Sequence, residues 1–138
     1  MSAVLAPRAG PEPGPEAMAA AGLRAFMRIA QAWGLSVDEQ LALLGQPARS
    51  TFFAWRKQPE KAALSRDTLE RLSNLLGIYK SLQILLPEPA LADQWLRQPN
   101  SAAPFGGGTA LQRMLAGNVS DLNFVRRYLD GVRGGGWS

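Results

Sequence analysis

The apolar residues of this chain recur every three or four positions, in segments that glycines and prolines interrupt. The longest segment lies between Ser65 and Pro87 and contains Leu69, Leu72, Leu75, Leu76, Tyr79, Leu82, Ile84 and Leu85. This spacing places apolar side chains along one face of an α-helix. No stretch alternates polar and apolar residues over enough length to indicate a sheet. The sequence therefore predicts an all-α fold.

Capping and breaking residues predict where the helices begin and end. Ser36 and Glu39 form the S-x-x-E pattern of a capping box, and Thr109 is a second candidate N-cap. Gly34 and Pro87 mark two helix ends, while Gly77 is a possible kink. The predicted helices span residues 18–33, 37–44, 48–57, 66–86, 89–98, 110–115 and 121–132.

The chain divides into three parts by composition. Residues 1–17 contain four prolines and two glycines, and we expect them to form a disordered leader. Residues 18–86 form a front region with four predicted helices. Residues 87–138 form a C-terminal module of three helices with a glycine-rich, flexible end at 133–138.

Absent residue types exclude several kinds of site. The chain has no Cys and no His, so disulfides, thiolate or imidazole metal sites and Ser-His or Cys-His catalysis are excluded. The candidate acids Asp67, Glu70, Asp121 and Asp130 fall at helix starts or on expected exposed faces. We expect no enzyme activity, no metal and no cofactor. No apolar run approaches the roughly 20 residues that span a bilayer, and we expect a cytoplasmic location.

Positive charge is concentrated in the front region. The whole chain has a formal net charge of +4, and residues 18–86 hold nine Lys or Arg against five Asp or Glu. A basic region attracts polyanions such as nucleic acid, although a surplus of this size is also common in ordinary proteins.

The second and third predicted helices, joined by a turn at Gly45, have the pattern of a helix-turn-helix. Leu41, Leu44, Phe52 and Trp55 would be buried between helices, which turns the rest of the third helix outward. That outward set, our predicted DNA-binding residues, is Arg49, Ser50, Thr51, Phe53, Arg56 and Lys57. Arg49 would read guanine, the two hydroxyls would contact phosphates near the helix start, and the basic end would hold backbone phosphates.

Other interpretations of this helix pair stay open. A short basic helix is often only a solvated face, and the unit could serve packing alone. If it does bind DNA, one short helix makes few contacts, so we expect a homodimer that reads two half-sites roughly 34 Å apart.

The C-terminal module carries a more specific pattern. Residues 95–100 read WLRQPN, residues 106–118 read GGGTALQRMLAGN, and residues 125–129 read VRRYL. This order closely resembles the C-terminal toxin-binding domain of the Xre/MbcA/ParS antitoxin family, and residues 18–86 are similar to the Xre-like helix-turn-helix region of that family. The alternative is a stand-alone helix-turn-helix regulator with a C-terminal dimerisation domain.

The resemblance implies that the partner is a RES-domain toxin, which consumes NAD. It also implies that the antitoxin covers the toxin's active site and represses its own operon through operator DNA. We expect the last helix and tail to contact the toxin, through Arg126, Arg127, Arg133, Trp137 and the carboxylate of Ser138. The alternative is that the RGGGWS tail contacts nothing.

Overall fold

The computed structural model describes residues 14–101 and 105–134, and within these ranges it contains seven α-helices and one 3-10 turn. The helices are α1 (Pro15–Ala32), α2 (Val37–Leu43), α3 (Arg49–Lys57), α4 (Arg66–Leu85), α5 (Pro89–Trp95), α6 (Ala110–Met114) and α7 (Val119–Arg133), with the 3-10 turn at Pro59–Lys61. Strand-like pairing in the described part is limited to one isolated bridge between Pro99 and Thr109. The all-α prediction is confirmed. None of the described helices is long and apolar enough to cross a membrane.

The predicted capping box forms at the start of α2, and the predicted N-cap Thr109 is part of a second capping box at the start of α6. At α2, the Glu39 amide donates to Ser36 Oγ at 3.1 Å, and the Ser36 amide donates to Glu39 Oε1 at 2.9 Å. At α6, Thr109 and Gln112 make the same reciprocal pair. Each box satisfies two backbone donors that a helix start would otherwise leave without partners.

Three helices begin at positions that differ from the predicted ones. Helix α1 starts at Pro15, so the last three residues of the segment predicted as a leader are helical. Proline suits the first turn because it lacks the amide hydrogen that would stay unpaired there. Helix α3 starts at Arg49, one residue late. Helix α7 starts at Val119 and not at Asp121, because Asp121 accepts the Asn118 amide from within the first turn.

Helix α4 is the centre of the fold. It packs against α7 and α1, and its contact with α7 is the more extensive. Leu75, Ile78 and Leu82 are at most 1% exposed. The helix runs unbroken through Gly77, where the missing side chain leaves room for the guanidinium of Arg126.

Three leucine or isoleucine side chains in the predicted helical pattern are exposed and not part of the core. Ile84 is 51% exposed, Leu91 is 50% exposed and Leu69 is 40% exposed. Ile84 lies nine residues beyond Leu75, which at about 3.6 residues per turn places it half a turn away from the buried face. Ile78 fills the core instead, although the sequence pattern did not select it.

Candidate functional site

The first candidate site is the surface of α3. Phe52 points into the core and is 2% exposed. The six residues predicted to bind DNA are all exposed: Arg49, Ser50, Thr51, Phe53, Arg56 and Lys57. The structure therefore gathers these side chains on one helix with its solvent-facing surface free for a ligand.

The turn before α3 fixes the angle at which this surface is presented. Gly45 has a φ of +92°, and the Gln46 amide donates to the Leu41 carbonyl at 2.7 Å to close the end of α2. A side chain at position 45 would meet Arg71 Nε at 2.9 Å. Both the backbone angle and the close approach therefore favour glycine here. Leu41 is buried, as is Leu44.

Arg49 is held by an acid that the sequence did not single out. Its Nη1 lies 2.8 Å from Oδ1 of Asp38, in the first turn of α2. Both side chains are largely exposed, at 60% for Arg49 and 87% for Asp38. An ion pair so open to water is weak, so Arg49 can exchange this carboxylate for a ligand.

The other end of α3 is stiffened by aromatic contacts. The guanidinium of Arg56 lies 5.8 Å from the ring centroids of both Phe52 and Phe53, and the two rings meet edge to face. At the opposite end, the N-cap residue Ala48 offers no side-chain oxygen. The first amides of α3 are therefore available to a phosphate, which helix N-termini favour.

The second candidate site is the C-terminal module, which is built around a closed loop. The Asn100 amide donates to the Gly108 carbonyl at 2.9 Å, and the Gly107 amide donates to the Asn100 carbonyl at 2.9 Å. The Leu111 amide donates to the Leu96 carbonyl at 3.0 Å. These bonds bring the W-L, P-N and G-T elements of the sequence together in space.

Aromatic rings pack the loop against α7. Trp95 stacks on Tyr128 with ring centroids 6.4 Å apart, and Phe105 meets Tyr128 edge to face at 5.0 Å. Phe105 also contacts Phe124. Trp95 therefore anchors the loop region to α7, although it stays partly exposed at the rim of the core.

Arg113 ties α6 to α7. Its Nε donates to Oδ1 of Asp121 at 2.7 Å, and its guanidinium lies 3.9 Å from the centroid of the Phe124 ring. The hydrogen bond from Arg113 outweighs burial and holds the pKa of Asp121 below its ordinary value. Asp121 is thus a charged structural residue at a helix start.

The residues predicted to face the toxin divide into three groups. Arg126 lies along α4 and donates to the Ser73 carbonyl at 3.2 Å, and Arg133 donates to Ser81 Oγ at 3.2 Å. Arg127 is exposed and makes no hydrogen bond or ion pair within the described ranges. Trp137 and Ser138 lie outside the described residues.

Two arginines that sequence reasoning missed join the halves of the chain. Arg71 is buried, pairs with Asp67 at 2.7 Å and donates to the Gly117 carbonyl at 2.9 Å. Arg97 donates to the Gly34 carbonyl and to Oε1 of Glu39, each at 3.1 Å.

Glu39 is the acid of the α2 capping box, and burial alone would raise its pKa. Bonds from the Ser36 amide and from Arg97 lower the pKa of Glu39 below its ordinary value. No local sequence signal could have found these links, because Arg97 and Glu39 are 58 residues apart.

Comparisons with known proteins match each half of the chain to a domain family. Residues 12–77 match the antitoxin Xre-like helix-turn-helix domain, and residues 81–135 match the antitoxin Xre/MbcA/ParS C-terminal toxin-binding domain. An uncharacterized protein of Sinorhizobium fredii, y4oB, is 51% identical over 115 residues, which cover 83% of this chain and 86% of that protein. The described residues hold no cluster of three or more His, Cys, Asp or Glu side chains suited to a metal. The chain belongs to the Xre/MbcA/ParS antitoxin family, with an Xre-like helix-turn-helix domain followed by a C-terminal toxin-binding domain.

Proposed function

We propose that this antitoxin neutralises a RES-domain, NAD-consuming toxin by covering its active site, and that it represses its own operon by binding operator DNA. The observation that carries the proposal is the match of residues 81–135 to the toxin-binding domain. The protein acts by occupying surfaces and not as an enzyme. Its acids at Asp67, Asp121 and Asp130 are engaged by arginines, which supports structural roles for them.

Toxin covering is assigned to the end of α7 and the tail that follows it. Arg127 is exposed and has no described partner, so it can meet an acidic group on the toxin without losing an internal bond. Trp137 and Ser138 would enter the NAD cleft. Arg126 and Arg133 would contribute from beside α4, where they also stabilise the α4–α7 contact.

The deciding experiment is co-expression with the product of the adjacent gene, followed by co-purification and measurement of cellular NAD. A stable complex is expected, with NAD preserved when the antitoxin is present and lost when it is absent. Absence of both a complex and an NAD effect would leave the stand-alone regulator as the better interpretation. Trp137→Ala and deletion of residues 135–138 should weaken neutralisation while operator binding persists.

DNA binding is assigned to α3 in a homodimer that reads two half-sites. The exposed basic surface of α3 supports this, with Arg49 at its start and Lys57 at its end. Replacing Arg49 and Arg56 together by Ala should abolish operator binding in a gel-shift assay and leave toxin neutralisation intact. Survival of operator binding would show that α3 does not contact the operator. Analytical ultracentrifugation at several protein concentrations tests whether the chain forms a homodimer.

A further inference from the structure

A cleft between α1, α2 and α3 gathers positive charge beside the proposed DNA-reading helix. Arg28 of α1 and Arg56 of α3 line it, together with Gln31 and Gln40. Met27 and Leu35 complete its walls. The cleft has a volume of about 410 Å³, which is ample for a phosphodiester group.

The charges in this cleft have no counter-ion among the described residues. No carboxylate within residues 14–101 and 105–134 lines it, and Arg28 is exposed without a described hydrogen bond or ion pair. Two guanidinium groups that share a cleft repel each other, and an anion bound between them would offset this repulsion.

The neighbouring arginine on the same helix shows the contrast. Arg24 lies one turn before Arg28 on α1, and its guanidinium is 3.9 Å from Oε2 of Glu60. It does not line the cleft. The two arginines therefore differ in the feature that matters for anion binding, which is whether an internal carboxylate already neutralises the charge.

Polar and aromatic contacts restrict two of the side chains that line the cleft. Gln40 is buried, and its Nε2 donates to the Leu35 carbonyl at 3.1 Å. The guanidinium of Arg56 is held near Phe52 and Phe53. A bound anion would therefore meet one cationic donor, Arg56, whose position is already restricted, and this lowers the entropy lost on binding.

We propose that this cleft binds a backbone phosphate of the DNA, with Arg28 and Arg56 as its two cationic donors. The inference rests on the proposed DNA-binding function and deepens it, because it extends the DNA contact from α3 to α1. Arg56 belongs to both surfaces, so the cleft continues the reading helix and does not form a separate site. A contact of this kind adds affinity and fixes orientation without reading sequence.

The test compares Arg28→Ala with Arg24→Ala in the full chain. Each variant removes one positive charge from α1, so a general charge effect would weaken both equally. Binding to a fluorescein-labelled duplex is measured by anisotropy between about 50 and 200 mM salt. Losing one phosphate contact should reduce the slope of log K against log salt by about 0.9, which corresponds to about eightfold weaker binding at about 0.1 M salt.

The expected result is this loss for Arg28→Ala, no change in slope for Arg24→Ala, and a restored slope for Arg28→Lys. Circular dichroism confirms that each variant is folded. Equal losses in the two alanine variants, or no loss in Arg28→Ala, would overturn the proposal that this cleft binds a phosphate. If the unaltered protein fails to bind duplex DNA at low salt, the proposed DNA function fails as well, so the two failures are distinguishable.

Discussion

In the proposed DNA complex, Arg49 would exchange the Asp38 carboxylate for a base edge. Removing Asp38 should therefore strengthen DNA binding. An exposed ion pair of this kind contributes about 0.2 to 1 kcal/mol. Releasing that amount in the Asp38→Asn variant raises the association constant by about 1.4- to fivefold.

The assay is an anisotropy titration of Asp38→Asn against operator DNA at fixed salt. Glu88→Gln is the matched control, since Glu88 is exposed, makes no side-chain cap bond and also changes the net charge by one. The gain should shrink to the control level when Asp38→Asn is made in an Arg49→Ala background, because the pair no longer exists. Weaker binding by Asp38→Asn, or an equal gain with and without Arg49, would refute this exchange.

Three further variants test the structure itself. Arg97→Ala removes bonds between the C-terminal module and the α1–α2 connection, and we expect it to lower the free energy of unfolding in urea by about 1 to 2 kcal/mol. Met114→Ala empties a fully buried position and should lower the free energy of unfolding by about 2 to 5 kcal/mol. Its control, Met18→Ala at an exposed position, should lower it by less than about 0.5 kcal/mol. Because the pKa of Asp121 is lowered in the folded state, its contribution is present above the unfolded pKa near 4 and is lost as the pH falls through the folded pKa. The free energy of unfolding of Arg113→Ala should therefore fall by less between pH 7 and pH 3 than that of the unaltered protein. An unchanged pH dependence would contradict the assignment of the lowered pKa of Asp121 to Arg113.

Local signals in the sequence were enough to predict the helices. Helix ends predicted from the capping box at Ser36, the N-cap at Thr109 and the stop at Pro87 lie within a residue or two of those in the structure. These signals succeed because caps and breakers act on neighbouring backbone groups. The start of α7 was missed because Asp121, itself a plausible cap, acts from inside the helix.

Contacts between distant segments could not be predicted. Asp38 and Arg49 are separated by a turn whose angle decides whether they meet, and no spacing rule gives that angle. Periodicity selected Ile84 although it faces away from the core. The spacing of apolar residues indicates that a segment is helical, but it does not show which of them contact other helices. The cleft between Arg28 and Arg56 requires the packing of α1 against α3, which only the folded chain shows.

The two assigned domains share one core, and this bears on how their functions are related. The family matches meet between residues 77 and 81, yet that point lies inside α4, whose buried side chains pack against helices of both domains. Arg71 reinforces the arrangement, since it lies against the Gly45 turn before α3 and also donates to the Gly117 carbonyl before α7. The proposed DNA-binding and toxin-binding regions are therefore joined by shared side chains of α4 and by Arg71, and not by a separate linker.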